Sequence, residues 1–204
     1  ATDGASGATE HRNSTVIQIP RYSFQPRKSY VSFLSTASHE FIHTWNVKAY
    51  RGAGLVPYDY QQENYSRLIW VAEGSTDYFA DQLLLRAGIT KPADYFDVLA
   101  GAIDVYKRTP GARVQSVAEA SFDEWISVGG DRAKNASAGI YTEGVMVSWL
   151  LDIALLERTG GRVSYRDVHE ALYRRFPADR VGFSAADMRA ILKELAGTSG
   201  EDWW

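Results

Sequence analysis

Five consecutive residues, His39-Glu40-Phe41-Ile42-His43, have the types and the spacing to do chemistry at a metal ion. On a helix, positions i and i+4 lie one above the other, so His39 and His43 can offer two imidazoles to one ion. Glu40 stands about 100° round the axis, near enough to polarise a water at that ion without being a ligand itself. Setting His39 at 0° and stepping ~100° per residue, Tyr30, Phe33, Leu34, Ala37, Phe41 and Trp45 gather on the opposite side. The expectation is that this apolar side packs into a core while the histidine side looks into a cleft. The plainer reading is a solvated polar face that happens to carry two of the chain's four histidines. A third ligand separates the two readings.

The chain has no cysteine, so any metal must be held by His, carboxylate and water. Zinc in hydrolases is usually bound by three protein ligands plus a water, and His2Glu is one of the standard sets. Glu73 is the leading candidate for the third place. It is flanked by Ala72 and Gly74, small residues that let a neighbouring helix approach; the alternative is a surface charge. Asp77 follows at i+4 and shares the face of Glu73. It can accept the free N–H of a ligand imidazole, or be an exposed carboxylate with no such role.

The elements that must position these residues are mainly helical, α+β at most. Ser14 to Ile19 is a short β-branched run stopped by Pro20 and reads as a strand. The histidine helix is expected from about Lys28 to Lys48. A connector with Gly52, Gly54 and Pro57 leads to a single helix from Tyr65 to Arg86, closed by Gly88. Pro92 opens the next helix and Pro110-Gly111 ends it. A short helical piece over Val114–Ile126 precedes a loop from Gly129 to Gly139. Tyr141 to Arg158 is strongly apolar; Ser164 and Ser184 cap two further helices, the second ending at Gly197. The apolar share of 45% and charged share of 23% match a globular domain. A net charge of -3 gives no reason to propose nucleic acid as a partner, and no apolar run approaches the ~18 residues of a membrane span.

At this level the residues carry a resemblance. His39-Glu40-x-x-His43-x-Trp45-Asn46-Val47-Lys48, followed by Trp70-x-x-Glu73-Gly74-x-Thr76-x-Tyr78, resembles the glycyl aminopeptidase family of zinc peptidases. Glu10-His11-Arg12-Asn13-Ser14 is similar to that family's Gly-Gly-x-Glu-His segment. Pro57-Tyr58-Asp59-Tyr60, Ala120-Ser121-x-Asp123-x-Trp125, Tyr141-x-x-Gly144 and Leu150-Leu151-Asp152 fit as well, and Trp203-Trp204 resembles the approach to a PDZ region. The resemblance covers about Gly7 to Trp204. It implies a gluzincin, thermolysin-like catalytic domain over residues 1–204, helical with a short N-terminal edge strand. It further implies a fragment whose upstream β-rich domain and downstream PDZ domain lie outside this chain. The sequence departs from the family at Ala8, where the second glycine is usual, at Gly52 in place of a proline, and at Glu143 in place of a lysine.

What the resemblance implies for function is a zinc aminopeptidase acting on peptides with a free N-terminus, with glycine or alanine preferred. One Zn2+ would be held by His39, His43 and Glu73, and its water activated by Glu40 as general base. Tyr141 would donate its phenol to the oxyanion, and Glu10 would bind the substrate α-amine, with the adjoining strand pairing with the substrate backbone. His11 and His169 receive no ligand role. The rival expectations are a zinc endopeptidase and a non-catalytic module in which zinc braces a peptide-binding helix pair.

Overall fold

A computed structural model describes residues 4–126 and 135–197, so Trp203-Trp204 and most of the expected 129–139 loop lie outside the described residues. The fold is mainly α with one two-stranded antiparallel sheet. Strand β1 (Gly7–Glu10) pairs with β2 (Thr15–Gln18), with Glu10 opposite Thr15 and Gly7 opposite Gln18. The second strand is where the β-branched run places it. The first has no such run and forms because β2 offers it an edge.

Helix α1 (Arg27–Ile42) begins after Pro26 and ends at Ile42, six residues short of the expected Lys48, with His43 as its C-cap. The chain then tightens into a turn in which Val47 takes φ of 101°, the one non-glycine residue with positive φ among those described. A β-branched residue there costs on the order of 1–3 kcal/mol, so the surroundings must enforce it. They do so through Asn46, which is 1% exposed; its side-chain amide donates to Val71 O at 2.7 Å, Ala72 O at 3.2 Å and Thr76 Oγ1 at 2.9 Å.

The expected 65–86 helix is two helices, α2 (Ile69–Ala72) and α3 (Gly74–Arg86), broken at Glu73. Next come α4 (Pro92–Arg108) and α5 (Val117–Asp123), then α6 (Thr142–Thr159), α7 (Tyr165–Arg175) and α8 (Ala185–Ala196). Ser164 and Ser184 each form a capping box with the Asp three residues on, and Gly197 closes α8 in the left-handed conformation, as the sequence pattern requires.

Two glycines set the spacing of α3 and α6. A Cβ on Gly74 would stand 2.4 Å from the Gly144 Cα, and one on Gly144 would stand 2.8 Å from the Gly74 Cα. The helices therefore cross at backbone contact, which only glycine permits. Behind that crossing, Val71, Leu155, Tyr165, Leu172, Met188 and Ile191 make a core between α2, α3, α6, α7 and α8. The core carries a polar seam. Tyr165 OH meets Ser75 Oγ at 2.9 Å, Asp152 accepts from Tyr78 OH and the Tyr165 N–H, and Tyr50 OH meets His169 Nδ1 at 2.7 Å.

The apolar side of α1 does not enter this core. Phe41 is 61% exposed, Trp45 42% and Tyr30 37%, whereas His39, Glu40 and His43 are buried. The reason is the partner that α1 packs on. Small polar residues beside the histidines face α3, with Ser35 Oγ donating to Asp81 at 2.7 Å and Ser38 Oγ to Ala80 O at 3.0 Å. The polar side thus lies against protein, and the expectation of an inward apolar side is corrected for this chain. No helix among the described residues is long and apolar enough to cross a membrane.

Candidate metal centre

The last turn of α1 brings His39 and His43 together with Glu73, which the break between α2 and α3 turns toward them. His39 Nε2 and His43 Nε2 are 2.8 Å apart, and Glu73 Oε2 lies 3.2 Å from the first and 3.4 Å from the second. Among the described residues these three form the His/carboxylate group whose ligand atoms could share one ion, all within 4.8 Å of one another.

The outer ring nitrogens decide what the inner ones can do. His39 Nδ1 is 2.6 Å from Asp77 Oδ1, and His43 Nδ1 is 3.0 Å from Asn46 O. A carboxylate and a carbonyl only accept, so both Nδ1 atoms carry the hydrogen. In the neutral rings, this leaves two Nε2 lone pairs and a carboxylate oxygen facing one another. That is a donor set without a proton to share, which a cation satisfies, and it fits a divalent metal of zinc's preferences. The electrostatics favour a positive charge at the same place, whether an ion or a proton on the ring. Burial alone would lower the His39 pKa, but the carboxylates of Asp77 and Glu73 overcome it and raise it to about 10. Burial would raise the Glu73 pKa, yet the two imidazoles hold it down to about 2. The pocket between these groups stabilises positive charge.

Glu40 is 8% exposed, and its Oε2 is buried with no hydrogen-bond partner. Burial is the main cause that pushes its pKa up. A solvent-shielded carboxylate oxygen without a partner is costly, and here it stands beside the metal-binding group. Tyr141 sits at the entry to α6, 47% exposed, its ring 6.3 Å from that of His39. Burial first and the nearby carboxylates next raise its pKa, so the phenol keeps its proton. The Gly74–Gly144 crossing is what brings this end of α6 to the histidines.

A cleft of about 980 Å³ runs past these groups. His39, Glu40, Asp77 and Tyr141 line it, with Gly7 and Ala8 of β1 on one side and Asp97 and Val98 of α4 on the other. Arg27 fastens the start of α1 to α4, its Nε donating to Asp94 Oδ1 at 3.2 Å. Glu10, at the end of β1, accepts from Lys48 Nζ at 2.9 Å. Burial opposes ionisation of Glu10, but the hydrogen bonds from Lys48 and from its own backbone N–H prevail and lower its pKa.

The structure thus gathers His39, His43, Glu73, Glu40 and Tyr141 around one point, with Asp77 behind His39, and sets Glu10 within electrostatic reach. Glu143 lies apart, buried in α6 with Oε2 accepting from the Gly139 N–H at 2.7 Å. Sequence reasoning passed over Asn46 and Lys48 as functional residues. Their position three and five residues after His43 was visible, but their contacts depend on the turn at Val47.

A model of the M61 glycyl aminopeptidase family matches residues 32–147, more than half of the chain. No curated protein matches. Among solved structures, the chain is similar to an aminopeptidase N family protein from Idiomarina loihiensis, with a TM-score of 0.87 and 27% identity. That likeness covers 99% of this chain and 36% of that one, so the chain spans about a third of its solved relative.

Proposed function

The chain belongs to the M61 glycyl aminopeptidase family, and on that premise we propose that it is the catalytic domain of a zinc aminopeptidase. The observation that carries the reading is the convergence of two imidazole nitrogens and one carboxylate oxygen within 3.4 Å, beside the unpartnered oxygen of Glu40. His39, His43 and Glu73 would hold the ion. Zinc there supplies Lewis acidity, polarising the scissile carbonyl and easing deprotonation of water.

The remaining steps belong to the chain's own side chains. Glu40 Oε2 takes the proton of the attacking water and returns it to the departing amine. The Tyr141 phenol donates to the carbonyl oxygen as it gains charge. Asp77 holds the His39 ring by its Nδ1–H, and Asn46 O does the same for His43. Glu10 accepts the substrate's α-ammonium and so sets how many residues lie before the cut. The β1–β2 sheet beside the cleft can take the substrate backbone as an added strand. Preference for N-terminal glycine or alanine follows from the family.

One observation favours an endopeptidase instead: Glu10 already holds a cation, Lys48. Two measurements separate the readings. The protein should bind about one zinc per chain and lose it on Glu73→Ala. The loaded protein should cleave a glycyl substrate faster than a leucyl one, and a free glycyl substrate far faster than its N-acetyl form. Equal cleavage of the free and acetylated forms makes it an endopeptidase.

A further inference from the structure

The Glu10–Lys48 pair is built into the metal helix in a way that a surface ion pair is not. Lys48 leaves the tight turn at Val47, the strained residue of the described chain. Two links of that turn are made to His43 at the metal-binding end of α1, and a third closes the turn on Tyr50. The Lys48 N–H donates to His43 O at 3.1 Å, the Val47 N–H donates to Tyr50 O at 2.7 Å, and Asn46 O accepts from His43 Nδ1 at 3.0 Å. From there Lys48 Nζ reaches across 38 residues of sequence to Glu10 Oε1, both side chains about three-quarters shielded from solvent (26% and 25% exposed).

A partly solvated Lys–Glu pair adds little to stability, so stability does not account for a strained turn that presents it. Its geometric effect is larger. Glu10 stands at the turn end of a sheet of only two strands, where few neighbours limit the positions of its carboxylate. Lys48 binds one of its two oxygens, Oε1, and so ties the carboxylate to the same turn that orients the His43 ring.

We propose that Lys48 is a positioning residue for the amine subsite, holding Glu10 by Oε1 so that its other oxygen meets the α-ammonium of a peptide at a set distance from the metal centre. This rests on the aminopeptidase reading of Glu10. It turns the apparent objection, that Glu10 is already paired, into the device that fixes register. A lysine suits the task because its point charge takes one oxygen, whereas it is arginine that tends to take both.

The test uses the full-length zinc-loaded protein as wild type, Lys48→Met, Lys48→Arg and Glu10→Gln. Two readouts are compared: kcat/KM on glycine 4-nitroanilide against its N-acetyl form, and calorimetric binding of glycinamide against N-acetylglycinamide. In Lys48→Met, the free-to-acetylated ratio should fall about tenfold, mostly through KM, and glycinamide binding should weaken by a similar factor. Glu10→Gln should lower the ratio at least as far, and the double variant should add little more, since the two act as one unit. Lys48→Arg, which keeps the charge but can take both carboxylate oxygens, should also weaken glycinamide binding, with zinc content unchanged. A loss shared equally by both substrates, with less zinc bound, would make Lys48 structural and overturn the inference. Tighter glycinamide binding in Lys48→Met would make it a competitor of the substrate amine and overturn it too. A wild type that does not discriminate free from acetylated substrates removes the aminopeptidase reading and this inference with it. That outcome shows in the wild type alone, whereas failure of the positioning role shows only in the variants.

Discussion

His39 and His169 are both buried, and their surroundings push them in opposite directions. His39 lies between the carboxylates of Asp77 and Glu73, which outweigh its burial and raise its pKa to about 10. His169 sits among Phe79 and Tyr165 rings, with the Tyr50 hydroxyl on Nδ1, and burial alone lowers its pKa to about 3. The two regions also share a rarer feature, a buried polar atom with no partner: Glu40 Oε2 in the cleft and His169 Nε2 in the core. In the cleft such an atom lies beside the candidate metal ligands, where the proposed reaction would take place. In the core it belongs to a ring packed among Tyr50, Phe79 and Tyr165, and its cost falls on stability. The same physics of desolvation would serve the proposed chemistry in one region and is a liability in the other.

The comparison can be broken at several points. The largest effect is expected from Glu40→Gln, which should lower turnover about a thousandfold while zinc content holds and Tm does not fall. Unchanged turnover would remove Glu40 from the mechanism. Asp77→Asn makes the surroundings of His39 more like those of His169, leaving the ring a neutral acceptor in place of a charged one. Zinc affinity should weaken by roughly tenfold to a hundredfold, read by competition with a chelator. Affinity equal to wild type would mean that the carboxylate only shields the ring.

The smallest effect is on the core side and appears only with pH. The folded state keeps His169 neutral down to about 3, whereas the unfolded chain protonates it near the usual histidine value. Between those values the unfolded state binds the extra proton, so stability rises with pH and is lost as pH falls from about 6.5, by up to ~1.4 kcal/mol per unit. His169→Gln should flatten the fall of Tm between pH 6.5 and 5, with zinc content unchanged at neutral pH. A slope equal to wild type would place the acid sensitivity elsewhere.

The legible part of the site was the part carried by helical spacing. His39 and His43 share a face in any α-helix, and Glu40 stands beside them. The value of small residues around Glu73 was also readable, and Gly74 does admit a neighbouring helix, α6, against Gly144. The capping boxes at Ser164 and Ser184 were readable because they close within three residues. The apolar stripe on α1 misled. Periodicity identifies two faces and not which one is covered, and here Phe41 and Trp45 remain exposed while the histidine side packs on α3. Strand β1 was missed because its stability comes from pairing with β2 rather than from its own residues.

By itself, then, the sequence determined the helical class, the two imidazoles on one face, the carboxylate beside them and the local caps, because each depends on residues no more than about one helical turn apart. Only the tertiary structure decided that Glu73 turns out of a broken helix to meet both histidines. It alone set Asp77 and Asn46 behind the two rings, brought Tyr141 in by the Gly74–Gly144 crossing, and joined Lys48 to Glu10. Those contacts close loops of 25 or more residues for all but the local Asn46–His43 one, and their geometry comes from how helices pack, which no local pattern encodes.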